Sequence, residues 1–177
     1  MSMNIRSYNQ IEPTLADGVY VDPMACVIGD VHLGKDCSVW PMAVIRGDVH
    51  KIRIGNECSI QDGSVLHVTH DGPYSPGGRA LILGDRVTVG HNVTLHACTI
   101  DDRVLIGMGC IVLDGAHIQS DVLLGAGAMV PPNKVLESGY LYVGSPVKKL
   151  RPLDPKELEF LNYTAKKYAG LKNDYMK

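Results

Sequence analysis

Aliphatic residues recur at every sixth position over most of this chain: Val27, Leu33, Val39 and Ile45; Ile54, Ile60 and Leu66; Leu83, Val89 and Leu95; then Ile100, Ile106, Val112, Ile118, Leu124 and Val130. Glycine follows many of them, as at 33–34, 54–55, 83–84, 89–90, 106–107 and 124–125. The fourth position after an aliphatic is usually small or β-branched: Val31, Cys37, Val49, Cys58, Ser64, Val87, Val93, Val104, Cys110 and Val122. Short β-branched runs cut by Gly, Asp and Asn this often exclude helices, and each run alone is too short to bury a face. They have to stack. The pattern predicts an all-β solenoid, a parallel β-helix with a triangular coil. Three hexads make one turn, and the aliphatic and the small residue of each point inward.

The rhythm breaks three times. Ile45 to Ile54 spans nine residues, Leu66 to Leu83 seventeen, and Leu95 to Ile100 five. The longest gap holds HDGPYSPGGR, residues 70–79, whose Gly and Pro predict a loop thrown out from a corner at 70–80. After residue 150 the pattern turns helical. Asp154 is placed as N-cap, Pro155 at the first helical position and Glu157 as the partner in a capping box. Leu158, Leu161, Ala165, Tyr168 and Leu171, or Lys172 at the alternative spacing, form an apolar stripe to lie along one wall of the prism. Two regions are therefore expected: a β-helix domain over 1–150 and a packed C-terminal helix within 151–177.

Labelling the walls A, B and C, with Val27 and Ile45 on A, puts Leu66 on A, Leu83 on B, Val89 on C and Leu95 on A. Arg46, His67 and His96 then each follow the inward aliphatic of a wall-A strand and stack in consecutive coils, roughly 5 Å apart. Asp62 and His91 hold equivalent positions on wall C, with Gln61 beside Asp62. His91 points outward from a different wall and does not meet the other two within one chain. Two ligands on wall A and one on wall C would meet if wall A of one subunit faced wall C of another, as in a closed three-fold ring. Three neutral imidazoles with an open fourth position form the catalytic zinc arrangement, which lowers the pKa of a bound water to about 7. The same donors also suit Fe²⁺ or Co²⁺. His32, His50 and His117 have no such partners and are read as surface or packing residues; His70 is read as a solvated loop residue.

Composition narrows the classes. A formal charge of −2 with no basic run points to no nucleic-acid partner, and no stretch is apolar enough to span a membrane. The N-terminus has no apolar core of a signal peptide, so a cytoplasmic location is expected. Five cysteines, without a CxxC pair, are expected to be small reduced packing residues.

IRGDVHKIRIGNECSIQDGSVLHVTH (45–70), VGHNVTLHACTI (89–100) and IGMGCIVLDGA (106–116) closely resemble the gamma-class carbonic anhydrase family of the hexapeptide-repeat superfamily. The likeness runs on through GSPVKKLRPL (144–153) into the terminal helix. The resemblance implies a left-handed β-helix and a homotrimer with three intersubunit zinc sites, at which metal-bound hydroxide converts carbon dioxide to bicarbonate. By match, His67 and His96 come from one subunit and His91 from its neighbour. Arg46 and Asp48 match the family's RxD pair, which looks like an intersubunit ion pair. Gln61 matches the residue that hydrogen-bonds the metal-bound water, Asp62 the residue that braces the site, and Tyr168 is similar in place to a helix tyrosine directed at that water. The chain departs from active members at Val49, where they carry a glutamate, and in the 70–79 loop, whose only carboxylate is Asp71. Proton export would fall to His70 or buffer. Other functions consistent with this prism are a hexapeptide acyltransferase with one histidine base, and a metal-binding trimer without hydratase activity that hydrolyses thioesters or binds small ligands such as siderophores.

Overall fold

The structure is a computed structural model that describes residues 4–177. Three parallel ladders wind around one apolar core. Wall A stacks Cys26–Leu33, Val44–Ile54, Val65–His67, Thr94–His96, Ile111–Val112 and Met129–Val130. Wall B takes the second halves of the first two of these strands and continues through Leu81–Leu83, Thr99–Ile100, His117–Ile118 and Val135–Leu136. Wall C runs from Tyr20–Val21 through Ser38–Val39, Ser59–Ile60, Thr88–Val89, Leu105–Ile106 and Leu123–Leu124 to Tyr140–Val143. An antiparallel strand, Lys148–Pro152, then covers the open edge of that last strand, which removes a free pairing edge. The parallel β-solenoid read from the six-residue period is the fold of this chain.

Every aliphatic of the periodic series is buried, none more than 2% exposed. The corners share one device. The third residue after the inward aliphatic takes a left-handed backbone at Asp36, Glu57, Arg86, Arg103 and Asp121 between walls B and C, and at Met42, Gly63, Asn92 and Gly109 between C and A. The left-handed region reverses the chain within one residue, which is why Gly, Asn and Asp recur at these corners. The arginines that sit there bond along the corner, Arg86 to Glu57 at 3.0 Å and Arg103 to both carboxylate oxygens of Asp121 at 2.7 and 2.8 Å. With a core this regular, truncating one rung leaves a cavity its neighbours cannot close. Ile106→Ala is expected to cost about 2–5 kcal/mol in urea unfolding; a change below about 1 kcal/mol would contradict the rigid stack.

Two local expectations are corrected. The nine-residue gap from Ile45 to Ile54 is bridged by one strand, Val44–Ile54, that turns from wall A to wall B, with a register irregularity against its neighbour. Ile52 therefore fills the inward slot, and Val49, expected inside, is 42% exposed. On the helix, Pro155–Tyr175, the capping box of Asp154 and Glu157 forms as expected. The buried stripe, however, is Leu161, Thr164, Ala165 and Lys172, the alternative spacing, while Leu158 is exposed and Leu171 half-buried. Lys172 is buried because its ammonium group reaches Asp36 at 2.9 Å and Asn173 at 2.8 Å. Beside it Tyr20, Tyr168 and Tyr175 pack on Trp40, which fixes the helix on wall C. The shortened step from Leu95 to Ile100 is absorbed at Ala97, whose φ is 47°. All five cysteines are free; Cys37, Cys58, Cys98 and Cys110 are buried and Cys26 half-buried.

Candidate metal centre

The stacking read from the repeat is present. Leu66 pairs with Leu95 and His67 with His96, so two imidazoles project from neighbouring wall-A strands. Their ring centroids lie 5.2 Å apart, and Nδ1 of His67 faces Nε2 of His96 at 3.2 Å. The other nitrogen of each ring is held by a carboxylate: His67 Nε2 by Asp48 at 3.0 Å, and His96 Nδ1 by Asp114 at 2.6 Å. A neutral imidazole has one N–H. With that N–H donated to the carboxylate, each ring turns a bare lone pair toward the other. Two lone pairs 3.2 Å apart call for something positive between them, and a divalent cation fits this donor set. Carboxylate, histidine and metal in line is the usual way a ligand's tautomer and direction are fixed.

The titration shifts agree. Burial pushes His67 below its usual range, helped by Arg46 and His96 and only partly opposed by Asp48. For Asp48, burial acts to raise the pKa, yet hydrogen bonds from His67 and Arg46 outweigh it and hold the carboxyl below its usual range. Asp114 behaves likewise: burial raises it, while Thr69 and His96 bring it down further than burial lifts it. Folded, all three bind fewer protons than unfolded, so acid favours the unfolded chain. The His67 contribution to stability starts to fade as pH drops below its ordinary 6.5, and those of Asp48 and Asp114 below 3.8. The metal-free protein is therefore expected to have a lower urea midpoint at pH 5.5 than at pH 7.5, and His67→Gln a smaller difference. Equal midpoints for the unsubstituted protein would contradict a half-buried neutral His67.

Arg46 and Asp48 pair with each other within the chain, and Asp48 also holds His67. His91 lies on wall C. Its Nδ1 lies 2.9 Å from a carboxylate oxygen of Asp62. Among the described residues no cluster of three metal-binding side chains forms within one chain. Gln61, 5% exposed, sits near His91 and Tyr168, and all three line one cavity of about 330 Å³ beneath the helix. The remaining histidines stand apart: His32 meets Thr14, His117 meets Asp101, and His50 accepts from the Lys51 amide. His70 lines a second hollow of about 240 Å³ with Thr69, Arg79 and Asp114. Asp114 was missed by the sequence reading. The signal was available: Asp114 comes two residues after Val112, the partner of Leu95, and so stands in the next coil beside the corner that follows His96.

A parallel β-solenoid with paired outward imidazoles, each braced by a carboxylate, defines a hexapeptide-repeat protein with a candidate histidine metal centre. Comparison with known proteins narrows this further. The chain is 53% identical to Protein YrdA of Escherichia coli strain K12 over 176 residues, which cover 99% of this chain and 96% of that one. It is 37% identical to a carbonic anhydrase of Geobacillus kaustophilus, covering 98% and 91% of the two chains. Against Gamma carbonic anhydrase 1, mitochondrial, of Arabidopsis thaliana, identity is 39% over 90% of this chain and 58% of the plant protein. A crystal structure of a hexapeptide transferase family protein from Anaplasma phagocytophilum superposes with a TM-score of 0.89 at 34% identity, covering 99% of both chains. No family model matches. The chain belongs to the gamma carbonic anhydrase-like family of hexapeptide-repeat proteins.

Proposed function

We propose that this protein is a carbonic anhydrase of the gamma type that hydrates carbon dioxide to bicarbonate at sites shared between the subunits of a homotrimer. The observation that carries the reading is the pair of imidazole nitrogens facing each other at 3.2 Å, the other nitrogen of each ring held by its own carboxylate. His67 and His96 of one subunit and His91 of the next would hold a divalent cation, Zn²⁺ by donor type, with Fe²⁺ or Co²⁺ also compatible. When bound, that cation supplies a Lewis acid that makes water a usable nucleophile near neutral pH. The chain's own groups do the rest. Gln61 offers a carboxamide that hydrogen-bonds without titrating, Asp62 orients His91, and the apolar lining of the cavity, with Leu105, Ile106, Met108 and Phe160, suits an uncharged substrate. Arg46, paired with Asp48 in the chain, is 43% exposed at its side chain and so free to reach a neighbouring wall.

A second reading is a metal-holding trimer without fast hydration, and one observation favours it. Asp71, the loop's single carboxylate, is bonded to the Gly77 amide at 2.7 Å and serves the loop's own turn. Metal content and carbon dioxide hydration by stopped flow, measured on one anaerobically prepared sample, decide between the two. One metal per subunit with hydration supports the anhydrase; metal without hydration overturns it.

A further inference from the structure

Wall C carries a ladder of outward hydroxyls beneath the helix: Ser38, Ser59 and Thr88 are direct partners in successive coils. The first two are satisfied, each accepting from the indole N–H of Trp40 at 3.0 Å. The third is not. Thr88 is 4% exposed and its Oγ1 has no partner among the described residues. Gln61, 5% exposed overall, makes no side-chain hydrogen bond among the described residues, but its carboxamide, unlike the Thr88 hydroxyl, is not shut off from solvent. A hydroxyl buried without a partner is disfavoured, so Thr88 marks a place where something else supplies one. Both residues line the cavity beneath the helix that also contains His91 and Tyr168.

We propose that Thr88 is a substrate-binding residue whose hydroxyl, with the Gln61 carboxamide, holds the oxygens of a small carbonate-type ligand, carbon dioxide or bicarbonate, beside His91. The assignment rests on the anhydrase reading for the identity of the ligand. The chemistry fits it in three ways. A hydroxyl and a carboxamide each donate and accept, which matches bicarbonate with its acceptor oxygens and its O–H. Neither group titrates near neutrality, so the pair accepts the uncharged and the charged form alike. No lysine or arginine lines the cavity, which disfavours phosphate or sulfate, while the apolar remainder admits carbon dioxide.

The test is isothermal titration of the metal-loaded protein with sodium bicarbonate at constant ionic strength, with metal content and hydration measured on the same samples. Thr88→Val removes the hydroxyl at nearly constant volume and is expected to bind bicarbonate about three- to tenfold more weakly with metal content unchanged. Thr88→Ser is expected to stay within about twofold of the unsubstituted protein, since it keeps the hydroxyl. Because the lost group is unpaired inside the chain, Thr88→Val should melt no lower than the parent. Bicarbonate binding that is unaffected by Thr88→Val would overturn the proposal and leave the hydroxyl to an ordered water. Absence of bicarbonate binding in the parent would overturn it as well. A parent that binds bicarbonate through Thr88 yet does not hydrate carbon dioxide would instead overturn the anhydrase reading and leave the Thr88 assignment standing.

Discussion

Trimers built only of His96→Ala chains, and trimers built only of His91→Ala chains, are both expected to lose bound metal and hydration by more than a hundredfold. That is beyond the roughly 10–100-fold that losing an outer partner of a ligand costs. Mixed after co-refolding, the two dead proteins should regain activity. His91 stands on wall C and does not cluster with His67 and His96 within one chain, so each site would draw a wall-A pair from one subunit and His91 from the next. A His91→Ala chain offers an intact wall-A pair, and a His96→Ala chain offers an intact His91. With random assembly at equal proportions, an interface pairs these two in the productive order with probability one half times one half, so about a quarter of sites should recover. A centre contained in one chain would recover nothing. Zero recovery, with mixed assembly verified by mass spectrometry on differently tagged chains, would therefore sink the shared site while leaving a metal centre possible in some other form. Circular dichroism of each variant guards against loss of fold, and is expected to be unchanged because both side chains point away from the core.

The prism was legible because its physics repeats. An inward aliphatic every six residues, a small residue four later and a turn residue between them state the same packing problem coil after coil, and a single solution satisfies every copy. That is why Leu95 could be threaded to Leu66 across a loop of unknown path, and why His67 and His96 fell into register. Where the repeat is interrupted, the pattern stops being informative. Val49 holds the slot that in an ordinary hexad faces inward, but the strand through Ile45 and Ile54 has three residues more than a hexad, so Ile52 enters the core instead. On the helix, leucine at 171 reads as the better core residue by hydrophobicity, yet Lys172 is the buried one. Its charge is answered by Asp36, a corner residue distant in sequence, and no local pattern shows that pairing. Asp114 and Thr88 were overlooked for a related reason. Each matters through its neighbour in the next coil, Asp114 by receiving His96 and Thr88 by lying beyond the reach of Trp40, and single-chain motif reading weighs residues along the chain rather than across it.

Asp114→Asn is expected to weaken metal binding about 10- to 100-fold while the β-helix stays intact. Asp114 can only accept, so it forces the His96 proton onto Nδ1 and leaves Nε2 bare toward His67. Asparagine keeps the shape but can turn its amide N–H₂ toward Nδ1, which moves the ring proton to Nε2, the nitrogen a cation needs. The neighbouring Thr69 hydroxyl, which donates to the same carboxylate, can still donate to the asparagine carbonyl and would then favour just that orientation. A competition titration of the protein against a chelator for Zn²⁺ or Co²⁺ reads the loss directly, without relying on turnover. If Asp114 acts only by orienting His96, hydration per bound metal should return to near the parent value once the variant is saturated with metal. A lower rate at full occupancy would give Asp114 a direct part in the reaction, and unchanged metal affinity would refute the tautomer argument from which the centre was built.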